Sequence, residues 1–129
     1  LALLADTPGG LAGNDDSGGM SSWYVWSSLG LFPVAGQDLF LIGSPLFPGA
    51  RLHLPSGRDF TITATGSSPS RPYVAGATLG GEHLREPCLR WSDLANGGEL
   101  HLEMSDTPVE WPAPNELSVA ADRSWNTAE

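Results

Sequence analysis

Two adjacent carboxylates and a neighbouring amide, Asn14-Asp15-Asp16, lie in the glycine-rich run Gly13-Asn14-Asp15-Asp16-Ser17-Gly18-Gly19, just ahead of a segment with helical character. The positive end of a helix dipole keeps acids at a helix N-terminus ionised, the state that a proton acceptor or an oxygen ligand must be in. Asn and Asp are also common turn and capping residues, and on these three residues alone that ordinary use is the simpler reading. The other reactive side chains offer less. His53, His83 and His101 are widely separated and lack metal-ligand spacing, so they read as structural or surface residues. Cys88 follows Pro87 and reads as a small buried hydrophobe; as the single cysteine it leaves the redox compartment undecided. Ser is so abundant that any Ser-His-Asp pairing would be arbitrary.

The elements that must position the acidic run follow it directly. The stretch from Met20 to Phe32 reads as a helix stopped by Pro33, with Asp16 or Ser17 as its cap. Trp23, Tyr24, Val25 and Trp26 occupy most of its sides, and a helix apolar nearly all round requires burial on several sides. The segment that follows is too small to cover it, so partner helices are expected upstream. Trp23 and Trp26 are candidates for an apolar wall beside the acids. Core packing is expected for at least two of Trp23, Tyr24 and Trp26.

From Gln37 onward the hydrophobic period changes from helical to two. The run Leu39-Phe40-Leu41-Ile42 suits a buried strand, and Ala50–Leu54 and Phe60–Ala64 alternate on either side of the turn Pro55-Ser56-Gly57, a hairpin pattern. Tyr73–Leu79, the turn Gly80-Gly81, Cys88–Trp91 and Glu99–Met104 continue the series. A single helical turn capped by Ser92 and ended at Gly97 interrupts it. Short strands at this spacing predict an antiparallel β-sandwich. Residues 113–129 are expected to form a flexible tail.

Composition narrows the function. Six Arg, no Lys and fifteen acids give a net charge of −9, which leaves no basic stripe for nucleic acid and nothing to hold an anionic membrane surface. Sixteen Gly and eleven Pro punctuate the chain too often for a helical bundle. No apolar run reaches the roughly 18 residues of a membrane-spanning helix. The opening Leu1-Ala2-Leu3-Leu4-Ala5 carries no initiating Met and no basic flank, and is expected to belong to a longer protein rather than to an intact signal peptide.

Three stretches, in order, resemble glycoside hydrolase family 92. They are Gly13–Val25, with its Gly-Asn-acid-Asp segment running into Met-Ser-x-Trp-Tyr; Gly30-Leu31-Phe32-Pro33-Val34; and Ile42-Gly43-Ser44-Pro45-Leu46-Phe47, followed by Leu54-Pro55-Ser56-Gly57 and Asn96-Gly97-Gly98. The resemblance covers roughly residues 8–105. It implies a mainly β chain, in which residues 1–35 are the last loop and helix of a catalytic (α/α)6 barrel and residues 36–112 a β-sandwich-like C-terminal portion.

The resemblance also implies an inverting, calcium-dependent exo-α-mannosidase, with an α-1,2 linkage as the expected substrate bond. Inversion uses a carboxylic acid for the leaving oxygen and a carboxylate base for water. Asp15 and Asp16 match the segment that supplies the base, and Asp16 is favoured over Asp15. Asn14, Asp15 and Asp16 are the implied calcium ligands, and Asn14 and Trp23 the implied substrate contacts. The general acid is a Glu upstream of the acidic run, so this chain alone is expected to be inactive. The expected partners are a mannose-containing oligosaccharide or glycoprotein glycan and the rest of the same polypeptide, with no nucleic acid and no membrane insertion. The implied location is extracellular or periplasmic. The alternative is a non-catalytic carbohydrate-binding or structural β-sandwich module, for which an acidic pair leading into an apolar helix has no use.

Overall fold

A computed structural model of the protein describes residues 5–111. The tail expected after residue 112 lies outside the described residues. The chain enters through a loop into helix α1 (Gly19–Ser28) and then forms strands β1 (Leu31–Pro33), β2 (Phe40–Ile42), β3 (Gly49–His53), β4 (Asp59–Thr65), β5 (Tyr73–Leu79), β6 (Glu82–His83) and β7 (Cys88–Leu89). A short helix α2 (Trp91–Ala95) precedes strand β8 (Gly98–Ser105), the last among the described residues. The strands make a three-stranded sheet, in the order β1-β2-β7, and a five-stranded sheet, in the order β3-β4-β8-β5-β6.

The alternation read from the sequence is the alternation of burial. In β4, Phe60, Ile62 and Ala64 point inward; in β8, Leu100, Leu102 and Met104 do. They join Leu31 and Leu89 from the smaller sheet, Ala77 from β5 and Leu94 from α2 in one buried cluster. Each large apolar side chain fully removed from water contributes about 1.5–3 kcal/mol, so this cluster is what holds the two sheets together. The hairpin forms as expected. His53 pairs with Asp59 across the β3–β4 turn, where the amide of Gly57 donates to the carbonyl of Leu54 at 2.9 Å.

Four expectations need correction. The first helix stops at Ser28 rather than at Pro33. Gly30 adopts φ +79°, and Leu31, Phe32 and Pro33 then pair antiparallel with Ile42, Leu41 and Phe40. Pro33 is accommodated because β1 is an edge strand, where a missing N–H is tolerated. Neither Asp16 nor Ser17 occupies the cap position, which is taken by Gly18 in the left-handed conformation. Ser92 does not cap α2; Arg90 stands there, and its backbone N–H donates to the Asp93 carboxylate at 2.7 Å. The larger sheet is mixed rather than antiparallel, because β8 runs parallel to β4 while pairing antiparallel with β5. A parallel neighbour needs a long crossover, and the chain between β4 and β8 supplies one through β5, β6, β7 and α2.

Gly30 is where the helix is joined to the β-structure. A Cβ there would meet the carbonyl oxygen of Gly43 at 2.8 Å and the nitrogen of Pro45 at 3.0 Å, both backbone atoms. Gly57 has a similar φ of +77° but nothing within 4 Å of an added Cβ. Gly30→Ala is therefore expected to destabilise the fold by about 1–3 kcal/mol. Gly57→Asn should be nearly neutral, since Asn tolerates the left-handed region. Denaturant midpoints of the two variants check this; equal midpoints would show that the close approach at Gly30 does not matter.

Candidate active site

The acidic run forms the turn that starts α1. Asp16, Ser17 and Gly18 adopt φ values of 48°, 59° and 88°, three consecutive residues in the left-handed region. Glycine enters this region freely and Asp more readily than most side chains, whereas Ser17 stands there at a cost of about 1–2 kcal/mol. Local hydrogen bonds hold the turn. The Asp16 N–H donates to Asn14 Oδ1 at 3.2 Å, the Gly19 N–H to the Asp16 carbonyl at 3.2 Å, and the Met20 N–H to the Asp15 carbonyl at 3.3 Å.

The two acids are placed differently, although they are adjacent in sequence. Both oxygens of Asp15 are engaged by one residue: the Ser21 backbone N–H donates to Oδ1 at 2.8 Å and the Ser21 hydroxyl to Oδ2 at 2.8 Å. The Ser21 hydroxyl first, and then its N–H, hold the Asp15 carboxyl below the usual Asp range. Asp15 thus does a capping residue's work from outside the cap position, because the left-handed turn carries the chain back over it. Asp16 is exposed, and none of the described residues makes a hydrogen bond or ion pair to its carboxylate. Ser21 was not picked out from the sequence. Its separation of six residues from Asp15 fits no standard capping spacing, since three left-handed residues lie between them.

The aromatic residues of α1 divide in the same way. Trp26 packs against the core, its ring centroid 5.3 Å from that of Phe40. Trp23 and Tyr24 are 46% and 38% exposed, so core packing within the described residues holds only Trp26. Trp23 lies three residues before Trp26 and two after Ser21, on the turn of helix that follows the acids. Val25, Trp26 and Leu29 line one side of an apolar groove of about 530 Å³, with Leu52 and Leu54 from the β3 region and Trp91 of α2 on the other.

Of the histidines, His53 also lines this groove. His53 Nδ1 lies 2.7 Å from Asp59 Oδ1 on the five-stranded sheet, with Arg51 Nε 3.8 Å from Asp59 Oδ2. His101 bridges Thr63 and Thr65 at 2.9 and 3.3 Å. Cys88 is half-buried, and burial and the nearby Glu86 carboxylate push its thiol pKa up, away from the reactive thiolate.

Calcium requires 6–8 oxygen ligands. Asn14, Asp15 and Asp16 have the right donor chemistry, but Asn14 Oδ1 and both Asp15 oxygens already accept one hydrogen bond each. Among the described residues no group of three or more His, Cys, Asp or Glu is placed to hold a metal ion. The run can therefore supply one side of such a site and not its full shell.

The lowered Asp15 pKa has a measurable consequence. A carboxyl whose folded pKa is depressed adds stability above its unfolded value, about 3.9 for Asp, and loses it as the pH falls through the folded value. The melting-temperature gap between the protein and its Asp15→Ala variant is expected to be widest near neutral pH and to close in acid below that value. A gap unchanged from neutral pH into strong acid would mean that Ser21 does not stabilise the ionised form.

The model of the glycosyl hydrolase family 92 catalytic domain matches residues 2–106. A protein of Arthroderma benhamiae described as an uncharacterized secreted glycosidase is 33% identical over 109 residues, covering 82% of this chain and 14% of that protein. The structure of a family GH92 α-mannosidase from Bacteroides thetaiotaomicron in complex with mannoimidazole superposes with a TM-score of 0.76 at 32% identity, covering 83% of this chain and 14% of that one. The family GH92 inverting mannosidase of the same organism superposes with a TM-score of 0.72 at 39% identity, covering 82% and 14%. The chain spans 14% of the length of each of these relatives. Its mainly β fold matches these two mannosidase structures over most of its length, and the chain belongs to glycoside hydrolase family 92.

Proposed function

We propose that these residues form the general-base side of an inverting, calcium-dependent exo-α-mannosidase. The observation that carries the reading is the division of labour between the two acids. Asp15 is committed to Ser21 through both oxygens, whereas Asp16 presents a carboxylate with no partner among the described residues. A general base needs a carboxylate open to water and not already stabilised as the anion by fixed donors, so Asp16 is the base in this reading. The family supports the reaction class, and the relatives named above include an inverting mannosidase and an α-mannosidase bound to mannoimidazole.

In this reaction Asp16 takes a proton from a water molecule as the water oxygen attacks the anomeric carbon. The bond to the leaving oxygen breaks as a second carboxyl group protonates it. In inverting enzymes the two carboxyl groups stand about 6.5–9.5 Å apart, with the water between base and sugar. That acid is a Glu outside these 129 residues, so the chain on its own binds and orients but does not turn over. Calcium, when bound, would supply a hard cation for the hydroxyl oxygens of the sugar, and Asn14, Asp15 and Asp16 would hold it from this side. Trp23, half-exposed on the next turn of helix, offers an apolar face to the sugar. The substrate is a mannose-containing oligosaccharide or glycoprotein glycan with a terminal α-1,2 bond, met outside the cytoplasm. The Arthroderma benhamiae relative, described as secreted, supports that location.

Two outcomes are expected. In the full-length protein, Asp16→Asn should lower kcat about 10²–10⁴-fold, the usual contribution of a general base. Turnover that survives Asp16→Asn would remove Asp16 from the reaction and favour an accessory, sugar-binding role. The 129-residue chain, shown to be folded by the near-UV circular dichroism of its tryptophans, should release no mannose from α-1,2-linked mannobiose with calcium or with chelator. Calcium-dependent release would place the acid among these residues.

A further inference from the structure

We propose that Ser21 is a positioning residue for this reaction: its two contacts to Asp15 hold the left-handed turn on which Asp16 stands, and so fix where the Asp16 carboxylate meets the attacking water. The proposal rests on Asp16 as the base, and its test separates the two.

One hydrogen bond would leave the Asp15 carboxylate free to rotate about its last torsion. Two donors from one residue, each on a different oxygen at 2.8 Å, remove that freedom. The Ser21 N–H is fixed by the helix, whereas the hydroxyl is the part that a substitution can remove. Asp15 is also joined to α1 through its carbonyl, which accepts from the Met20 N–H at 3.3 Å. Asp15 is therefore tied by side chain and backbone to the first turn of the helix. Asp16 has weaker support, one N–H contact to Asn14 and one carbonyl contact from Gly19, both at 3.2 Å, and is held at φ 48° without being glycine. A non-glycine residue in this region persists only while its surroundings over-determine it. Once the Asp15 anchor loosens, Asp16 relaxes toward the right-handed or extended regions and its carboxylate swings away. The hydroxyl of Ser21 thus acts on the water through Asp15 and the turn, without touching the substrate.

The test compares Ser21→Ala, Ser21→Thr and Asp16→Asn in the full-length protein. Ser21→Ala keeps the backbone N–H and loses the hydroxyl; it is expected to lower kcat about 10–100-fold, as loss of an orienting contact typically does, with KM little changed. Ser21→Thr restores the hydroxyl and should recover most of kcat. If Ser21→Ala fails to fold, Ser21→Val against Ser21→Thr makes the same comparison, since the two have nearly the same shape and differ by the hydroxyl. Wild-type kcat in the hydroxyl-less variant, with Asp16→Asn inactive, would sink the positioning role and leave the base in place. Loss of kcat that Thr does not restore would mark a packing effect and equally overturn the proposal. Wild-type turnover of Asp16→Asn would overturn both the base and the positioning residue built on it.

Discussion

The amide of Gly43 donates to the carbonyl of Gly30 at 2.8 Å, and the Leu46 N–H donates to the carbonyl of Ser28 at 2.9 Å. These contacts bring the end of α1 against the segment after β2 so closely that no side chain fits at residue 30. The next residue, Leu31, is 1% exposed and belongs to the buried cluster shared by both sheets. The helix is thereby fixed at its C-terminal end by backbone packing and core burial. Its N-terminal end carries the acidic turn. A rigid rod of about three turns, anchored at one end, carries the acidic turn at the other.

At the free end of that rod, local chemistry separates two side chains that the sequence makes look equivalent. A carboxylate that receives two hydrogen bonds is stabilised as an anion and is a poor proton acceptor, whereas its neighbour is left to solvent. The separation requires no second charge and no burial. It follows from a reversal of chain direction that brings the first turn of the helix back over Asp15 and leaves Asp16 outside.

Much of the β-structure was legible because alternation records which side of a strand is dry. Phe60, Ile62 and Ala64 alternate with three threonines, and Leu100, Leu102 and Met104 with His101 and Glu103. Alternation does not record direction, which is why the parallel pairing of β4 and β8 was not visible. The end of the first helix was misplaced because Pro33 is the stronger stop signal in the sequence. The stop that acts is Gly30, whose role depends on Gly43 and Pro45 being adjacent in space. The acidic pair could be found from residue types, and the resemblance assigned it a chemistry. The distinct surroundings of Asp15 and Asp16 depend on backbone angles at Asp16, Ser17 and Gly18, and only the glycine announces such an angle. Ser21 was hidden for the same reason.

The position of β8 in the larger sheet has a consequence for biosynthesis. It is the last strand among the described residues, yet it lies between β4 and β5 and is paired with both. Until it leaves the ribosome, the β3–β4 hairpin and the β5–β6 hairpin have no common partner, and the inner face of β4, with Phe60 and Ile62, has no finished core to enter. At ordinary elongation rates of about 5–20 residues per second, the interval between β4 and the end of β8 lasts on the order of seconds. During that time the nascent chain carries two half-sheets with open edges. Closure is then a single insertion event, in which β8 completes both halves at once.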